Sequence, residues 1–519
     1  MNTADPLVIR GGNVTLADLR EVLAHDAARP PRPLQVAGEA REKVAACRRF
    51  IEQVVLRNEP IYGITTGFGK LANVRIPADQ LETLQRLLIL SHAAGVGDLL
   101  PPVVSRAMLL LRINSLACGH SGITLDLLDH LVTLYNRGVC PCVPARGSVG
   151  ASGDLAPLAH LSLVLLGEGE AHVDGQRISG AAALKAAGLA PIVLKAKEGL
   201  ALINGTQLMT AQGCRILHDA LDLLTVADIV GAMTVEAMKG SIMPFSPQVH
   251  ALRPHPGQVA VAQNMTALIG ESEIVLSHRF CDKVQDPYSL RCMPQVHGAA
   301  RDSLNHVREV IERELAAVTD NPLVFPTTEG GQVISAGNFH GEPVAMVLDY
   351  AGIALTIMAG ISERRVEQLV NPALSGLPAF LSPRPGLNSG YMITQVTAAA
   401  LVSECKALAH PAVVDSIPTS ANQEDYVSMG PIAAEKTLRI LDNAANVLAI
   451  EALAAAQGLS FETQHKPGPG VAAALACIRT VVPRLEDDRV PAPDVAAVRK
   501  LIDSRELLNA VRAVCPDLV

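Results

Sequence analysis

Apolar residues recur along most of this chain at intervals of three and four, the spacing that lines one face of an α-helix. Leu16, Leu19, Val22 and Leu23 open the pattern, which breaks at the connection Arg29-Pro30-Pro31-Arg32-Pro33. A second helix is predicted over residues 39–57. A third begins near Pro77, carries Leu81, Leu84 and Leu88 on one face and stops at Gly95. Two more follow at 101–118 and 123–137, and another starts near Leu155. The period shortens only around Ala171-His172-Val173-Asp174-Gly175-Gln176-Arg177-Ile178, where Asp-Gly predicts a hairpin. From about 206 the helices lengthen, with Thr206 placed to cap the first. Leu304, Val307, Val310, Ile311 and Leu315 mark a helix over 298–317 that closes at Asp320-Asn321-Pro322, as proline requires. Segment 342–370 is apolar around nearly its whole circumference, which places it inside a bundle. Segments 388–408 and 431–457 repeat the theme, and Lys466-Pro467-Gly468-Pro469-Gly470 makes a turn before a final helical segment. The predicted fold is mainly α: a mixed N-terminal domain over 1–200 and a long-helix bundle over 201–519.

Composition agrees with that picture. Aromatic residues are only 3% of the chain and Trp is absent, which favours close-packed helices over strands. With 49% hydrophobic and 18% charged residues the chain is not disordered, and so lean a charged surface points to subunit interfaces. A formal net charge of −8 without a basic stripe argues against nucleic acid as a partner. The start, Met1-Asn2-Thr3-Ala4-Asp5-Pro6, lacks the pattern of a secretion signal, and no uncharged run reads as a membrane span. Ten scattered cysteines without metal spacing suggest reduced thiols in the cytoplasm, with neither disulfides nor a metal site.

One stretch carries unusual chemistry. Arg146-Gly147-Ser148-Val149-Gly150-Ala151-Ser152-Gly153-Asp154-Leu155-Ala156-Pro157-Leu158-Ala159-His160 sets small residues ahead of an apolar run, with Asp154 placed to cap the helix that follows. A tight turn there could press the Gly153 nitrogen onto the Ala151 carbonyl. A five-membered ring would close, and loss of water from Ser152 would leave an exocyclic methylidene. A second stretch, Tyr62-Gly63-Ile64-Thr65-Thr66-Gly67-Phe68-Gly69, has three glycines in eight residues around a tyrosine, as loops that cover active sites often do.

These motifs, with Ser91 to Gly97, Asn204-Gly205-Thr206, Ser277 to Cys292, Asp320-Asn321-Pro322, Gly337 to Pro343 and Ser420 to Met429, resemble the family of histidine, phenylalanine and tyrosine ammonia-lyases and related aminomutases. The similarity covers residues 10–460 and lies closest to the histidine ammonia-lyases. It implies a fumarase/aspartase-like helical fold of the histidase type and a homotetramer whose sites combine residues of several subunits. It also implies an electrophile, 4-methylideneimidazol-5-one, formed autocatalytically from Ala151, Ser152 and Gly153 with no external coenzyme. Ordinary side chains are nucleophiles, acids and bases, and none is a strong electrophile. Such a group would carry away the amine of an α-amino acid. By the same resemblance Tyr62 is the β-proton base, which would need a pKa below the usual value of about 10. Tyr288 supports the reacting centre, Asn204 hydrogen-bonds the ring and Phe339 packs against it. Arg291 grips the substrate carboxylate, for which a guanidinium fork is suited, and Gln285 and Gln423 line the same pocket.

Substrate choice rests on two positions. Ser91-His92 is the pairing of the histidine enzymes, and Glu424 follows Asn422-Gln423 where the aromatic enzymes generally have Asp. A carboxylate there could hydrogen-bond an imidazole N–H and exchange its proton, whereas a phenyl ring would leave it buried and unpaired. Tyr426 stands where many of the histidine enzymes have His, and Gly341 where Ala is common. The expected activity is deamination of L-histidine to trans-urocanate and ammonia, the first step of histidine degradation. An aromatic lyase or aminomutase with the same ring, and a scaffold that keeps the fold without activity, are the competing expectations.

Overall fold

The computed structural model describes residues 5–24, 32–57, 59–279 and 284–519. Residues 29–31 of the first proline-rich connection, the first four residues and residues 280–283 of the Ser277 to Cys292 motif lie outside them. The chain forms two compact units, interleaved in sequence. One takes residues 1–215, 308–348 and 412–435, the other 216–307, 349–411 and 436–519. A single division at residue 200 therefore follows chain order rather than these units, because later segments return to the first.

The first unit is mixed, with short strands among helices. Leu7–Ile9 pairs in parallel with Leu34–Val36, Val96–Leu99 pairs antiparallel with Pro144–Arg146, and Leu323–Thr327 forms a ribbon with Gly330–Ile334. The predicted hairpin is present: Glu170–Val173 pairs with Gln176–Ser179. Its turn residues Asp174 and Gly175 have φ of 48° and 76°, the left-handed pair a tight hairpin needs. The helix Gly38–Arg57 presents Cys47, Phe50, Ile51 and Val54 to a core shared with Ile64 and Val324, which seats the start of the Tyr62 loop.

Long helices dominate the rest: Gln207–Ala237, Met293–Leu315, Glu342–Val370, Met392–Leu408 and Gly430–Leu459. The first begins where predicted, and the others fall within a few residues of their predicted spans. Glu342–Val370 is long and apolar enough to cross a membrane, but 61% of its apolar window is buried inside the protein, as in a core helix. Met392–Leu408 differs: of its 17 residues only Thr394, Ala398 and Cys405 are buried, while Ile393 and Val396 face outward.

One local expectation is corrected. Asp154 makes no side-chain cap to the helix Leu155–Leu163 that it precedes. Its Oδ2 instead accepts from the backbone N–H groups of Leu208 and Met209, at 2.7 and 3.2 Å, and so caps Gln207–Ala237. The Thr206 hydroxyl, expected in that role, donates to Glu314. The unpaired amides at the start of a 31-residue helix draw the carboxylate across 54 positions of sequence.

Candidate active site

The turn at residues 150–153 is closed by a hydrogen bond from Gly153 N–H to the Gly150 carbonyl at 3.2 Å. Ser152 sits inside it at φ 51°, a left-handed conformation costly for a residue with a Cβ, between Gly150 and Gly153, both at φ 78°. The turn is braced from two sides. Ser148 Oγ accepts from Gly150 N–H at 3.1 Å and donates to the Gly153 carbonyl at 3.3 Å. Gly205 donates to the Ser152 carbonyl at 3.3 Å and accepts from Asp154 N–H at 2.7 Å. A Cβ on Gly153 would lie 2.1 Å from the Gly205 oxygen, so only glycine permits this approach.

Ser152 faces a cavity of 710 Å³ in the first unit, lined also by Tyr62, Ser91, His92 and Glu424 among mostly apolar side chains such as Leu84 and Ile203. Its hydroxyl donates to Glu424 Oε1 at 3.4 Å. Glu424 Oε2 accepts from Thr419 Oγ1 at 2.8 Å. The segment that delivers Glu424 is strained: Ser420, Ala421 and Asn422 have successive φ values of 50°, 50° and 67°. His92 ends the helix Leu81–His92, and its Nδ1 lies 2.9 Å from the Leu88 carbonyl. A carbonyl only accepts, so Nδ1 carries the proton and Nε2 keeps its lone pair. Burial lowers the His92 pKa, outweighing the Leu88 bond and the Glu424 charge, which raise it.

Tyr62 overturns one expectation. Its pKa is raised above 10, not lowered: burial is the main cause, and the Glu424 carboxylate adds to it. Among the described residues the only opposing contact is a long one, 3.5 Å from Gly69 N–H to the phenol oxygen. Among the described residues, none that lines the cavity is Lys or Arg.

Asn204 lies buried behind the turn. Its Nδ2 donates to the Asn321 carbonyl at 2.9 Å, while its Oδ1 has no partner. Ala151 and Gly153 sit in the turn itself, but Phe339 and Gln423 do not line the cavity; Phe339 is half-buried and Gln423 exposed. Gln285, Tyr288 and Arg291 belong to the second unit and are likewise absent from the lining. Two of them associate with each other: Tyr288 is 71% exposed, with the Arg291 guanidinium 4.6 Å from its ring centroid. Arg291 Nε donates to the Asp286 carbonyl at 3.0 Å, which turns the fork back on its own loop.

Residue-by-residue reading missed several supports. His160 Nε2 accepts from Gly95 N–H at 3.0 Å, tying the helix after the turn to the segment after His92. Thr419 orients Glu424, and Asp154 links the turn to the long helix. Only Asp154 and His160 lay inside a stretch singled out by sequence, and neither offered a sign of its distant partner.

A sequence model of the aromatic amino acid lyases matches residues 14–480. A histidine ammonia-lyase of Sorangium cellulosum is 54% identical over 511 residues, covering 97% of this chain and 98% of that protein. The solved structure of histidine ammonia-lyase from Trypanosoma cruzi superposes with a TM-score of 0.90 at 40% identity, covering 99% of this chain and 96% of the other. A tyrosine aminomutase structure from Streptomyces globisporus gives the same TM-score at 36% identity, covering 98% and 99%. A strained Ala-Ser-Gly turn facing Tyr62, His92 and Glu424, on a helical fold shared over nearly the whole length of these proteins, establishes that the chain belongs to the aromatic amino acid lyase family.

Proposed function

We propose that this protein is a lyase that converts L-histidine to trans-urocanate and ammonia. The observation that carries the reading is the convergence of Ser152, Glu424 and His92 on one cavity, with the Ser152 hydroxyl on the Glu424 carboxylate. Two polar groups suited to an imidazole sit among apolar walls. Once ring formation removes the Ser152 hydroxyl, a phenyl ring would leave Glu424 Oε1 and His92 Nε2 buried without partners, at a cost of about 1–3 kcal/mol each. The 54% identical relative bears the name of this activity.

The electrophile is read as 4-methylideneimidazol-5-one, formed from Ala151, Ser152 and Gly153. The residues fit it: the turn is tight, Ser152 is strained, and the buried Asn204 Oδ1 lacks a partner beside it. When formed, this group supplies the electron sink that ordinary side chains lack. Glu424 holds the substrate imidazole and keeps a proton within reach. Neutral His92 offers Nε2 as a further acceptor. Tyr62 takes the β proton, and since the cavity raises its pKa, a cation or additional donors must join it before the phenolate is accessible. Arg291 and Gln285 are read as the carboxylate grip, with Tyr288, Phe339 and Gln423 completing the pocket.

The outward apolar face of Met392–Leu408, with Ile393 and Val396 exposed, supports a homotetramer with sites shared between subunits. Light scattering that returned a monomer at working concentration would contradict this. The protein is read as cytoplasmic, as its scattered cysteines without metal spacing suggest.

The decisive assay incubates the purified protein with histidine, and separately with tyrosine and phenylalanine, while following product absorbance. Urocanate should form from histidine and vanish with Ser152→Ala. Cinnamate-type or β-amino acid products in its place would overturn the assignment.

A further inference from the structure

Behind the cyclising turn lies a charged residue with no role in the reading above. Arg112, in the helix Pro102–Leu116, is fully buried. Its Nη1 donates to the Asn204 carbonyl at 2.8 Å and to Gln207 Oε1 at 2.9 Å, while Nε and Nη2 have no partner. The two groups it grips flank Gly205, the residue that hydrogen-bonds both sides of the Ser152–Gly153 unit. There is no slack in this stack. A Cβ on Gly205 would lie 2.6 Å from Arg112 Nη1 and 2.6 Å from Gln207 Oε1, and one on Gly153 would lie 2.1 Å from the Gly205 oxygen. Gln207 is pinned in turn, its Nε2 donating to Thr319 Oγ1 at 2.9 Å. Arginine, Gly205 turn and cyclising peptide therefore stand in contact, one behind another.

The charges are also unbalanced. Lys197 Nζ binds Asp320 Oδ2 at 2.8 Å with both side chains at 0% exposure, and Asp320 Oδ1 accepts from Asn204 Nδ2 at 3.4 Å. Arg112 is the second cation of this buried group, which holds one carboxylate. Burial pushes the Arg112 pKa down to about 10, leaving the guanidinium charged at neutral pH.

We propose that Arg112 is a positioning residue for formation of the ring. It anchors the 204–207 turn against the Ser152–Gly153 peptide and so holds the Gly153 nitrogen on the Ala151 carbonyl. The proposal rests on the reading of Ala151-Ser152-Gly153 as the ring precursor. In the step it serves, a bond forms between Gly153 N and the Ala151 carbonyl carbon. The Ala151 oxygen leaves as water with the hydrogens of Gly153 N and Ser152 N. A second water takes the Ser152 hydroxyl and its α hydrogen, so no oxidant or reductant is needed.

The test compares Arg112→Met, Arg112→Lys and Gln207→Leu with the parent full-length protein by intact mass directly after purification, by ring absorbance and by kinetics on histidine. Arg112→Met should lower the fraction of chains lighter by two waters about tenfold, the factor one charged hydrogen bond represents. The kcat per chain should fall in proportion with KM unchanged, and Arg112→Lys should restore part of both. A purely structural role would lower thermal stability without this split and without rescue. A full two-water loss in Arg112→Met, with parental kcat, overturns the proposal. Should that variant not fold, Gln207→Leu decides it: a partial mass deficit supports the anchor, and a complete two-water loss refutes it. A parent protein that has lost no water refutes the ring reading and the proposal together. A parent that carries the ring but leaves histidine untouched overturns the substrate alone.

Discussion

Each unit of the molecule buries a cluster of charges, and the two are built to different standards. In the second unit Arg365 uses every nitrogen: Nε and Nη2 bind Glu451 at 2.5 and 2.8 Å, and Nη1 donates to His297 Nε2 at 3.2 Å. His297 therefore carries its proton on Nδ1 and gives it to Asp228 at 2.7 Å. Asp228 also accepts from Asn264 and Arg301. Burial alone would raise the Asp228 pKa, but His297 and Arg301 outweigh it and hold it low. Two carboxylates face two guanidinium groups, and of their side-chain atoms only Arg301 Nε is left without a partner among the described residues. In the first unit Arg112 keeps two unpartnered nitrogens, Asn204 an unpartnered oxygen, and two cations share one carboxylate. A nearly saturated network specifies packing, whereas several buried polar atoms left open beside a strained turn mark a place where chemistry is prepared.

The largest expected effect would break the saturated side. Arg365→Met leaves the Glu451 carboxyl group buried with only hydroxyl partners, and should cost about 3–5 kcal/mol of stability in chemical denaturation. The chains that fold should still lose two waters at the Ala-Ser-Gly turn. Failure to do so would mean the two clusters do not divide structure from chemistry as argued.

Next in size is a pH effect from the first unit. Burial raises the Asp154 pKa to about 7, against the hydrogen bonds from Met209 and Leu208, which lower it; its Oδ1 is unpartnered. Between about 3.9 and 7 the folded protein holds a proton there that the unfolded chain has released. The associated stability is complete below the unfolded value and is lost as pH rises through 7. Asp154→Asn removes this dependence and keeps an acceptor for Leu208 and Met209. Relative to the parent, the variant should gain about 2–3 kcal/mol between pH 5 and pH 8. A difference flat across that range would mean Asp154 is already compensated.

Much of this was legible before any coordinate. Helix period and proline stops located the long helices, and motif spacing nominated Tyr62, His92, Ser152 and Glu424, which one cavity brings together. What was hidden depends on residues far apart in sequence. Nothing local to Asp154 shows that it caps a helix starting at Gln207, and nothing local to Arg112 shows that it supports Gly205. The raised Tyr62 pKa was equally invisible, because it follows from burial and from a carboxylate 362 positions away. Sequence pattern reports which residue types are present; desolvation and unpaired atoms exist only once the chain has closed around them.

The smallest effect sharpens the comparison from inside the saturated network. Thr234 Oγ1 and Ser362 Oγ donate to the two oxygens of Glu451 at 2.7 and 2.6 Å, each oxygen also taking one Arg365 nitrogen. Thr234→Val and Ser362→Ala should each cost about 1.5 kcal/mol, as loss of a hydrogen bond to a charged group does. Removing either hydroxyl leaves the carboxylate leaning harder on the donors that remain. The double variant should therefore cost about 0.5–1 kcal/mol more than the sum of the two. Strict additivity would show four independent contacts rather than one network, and the contrast with the open cluster around Arg112 would then rest on unpaired atoms alone.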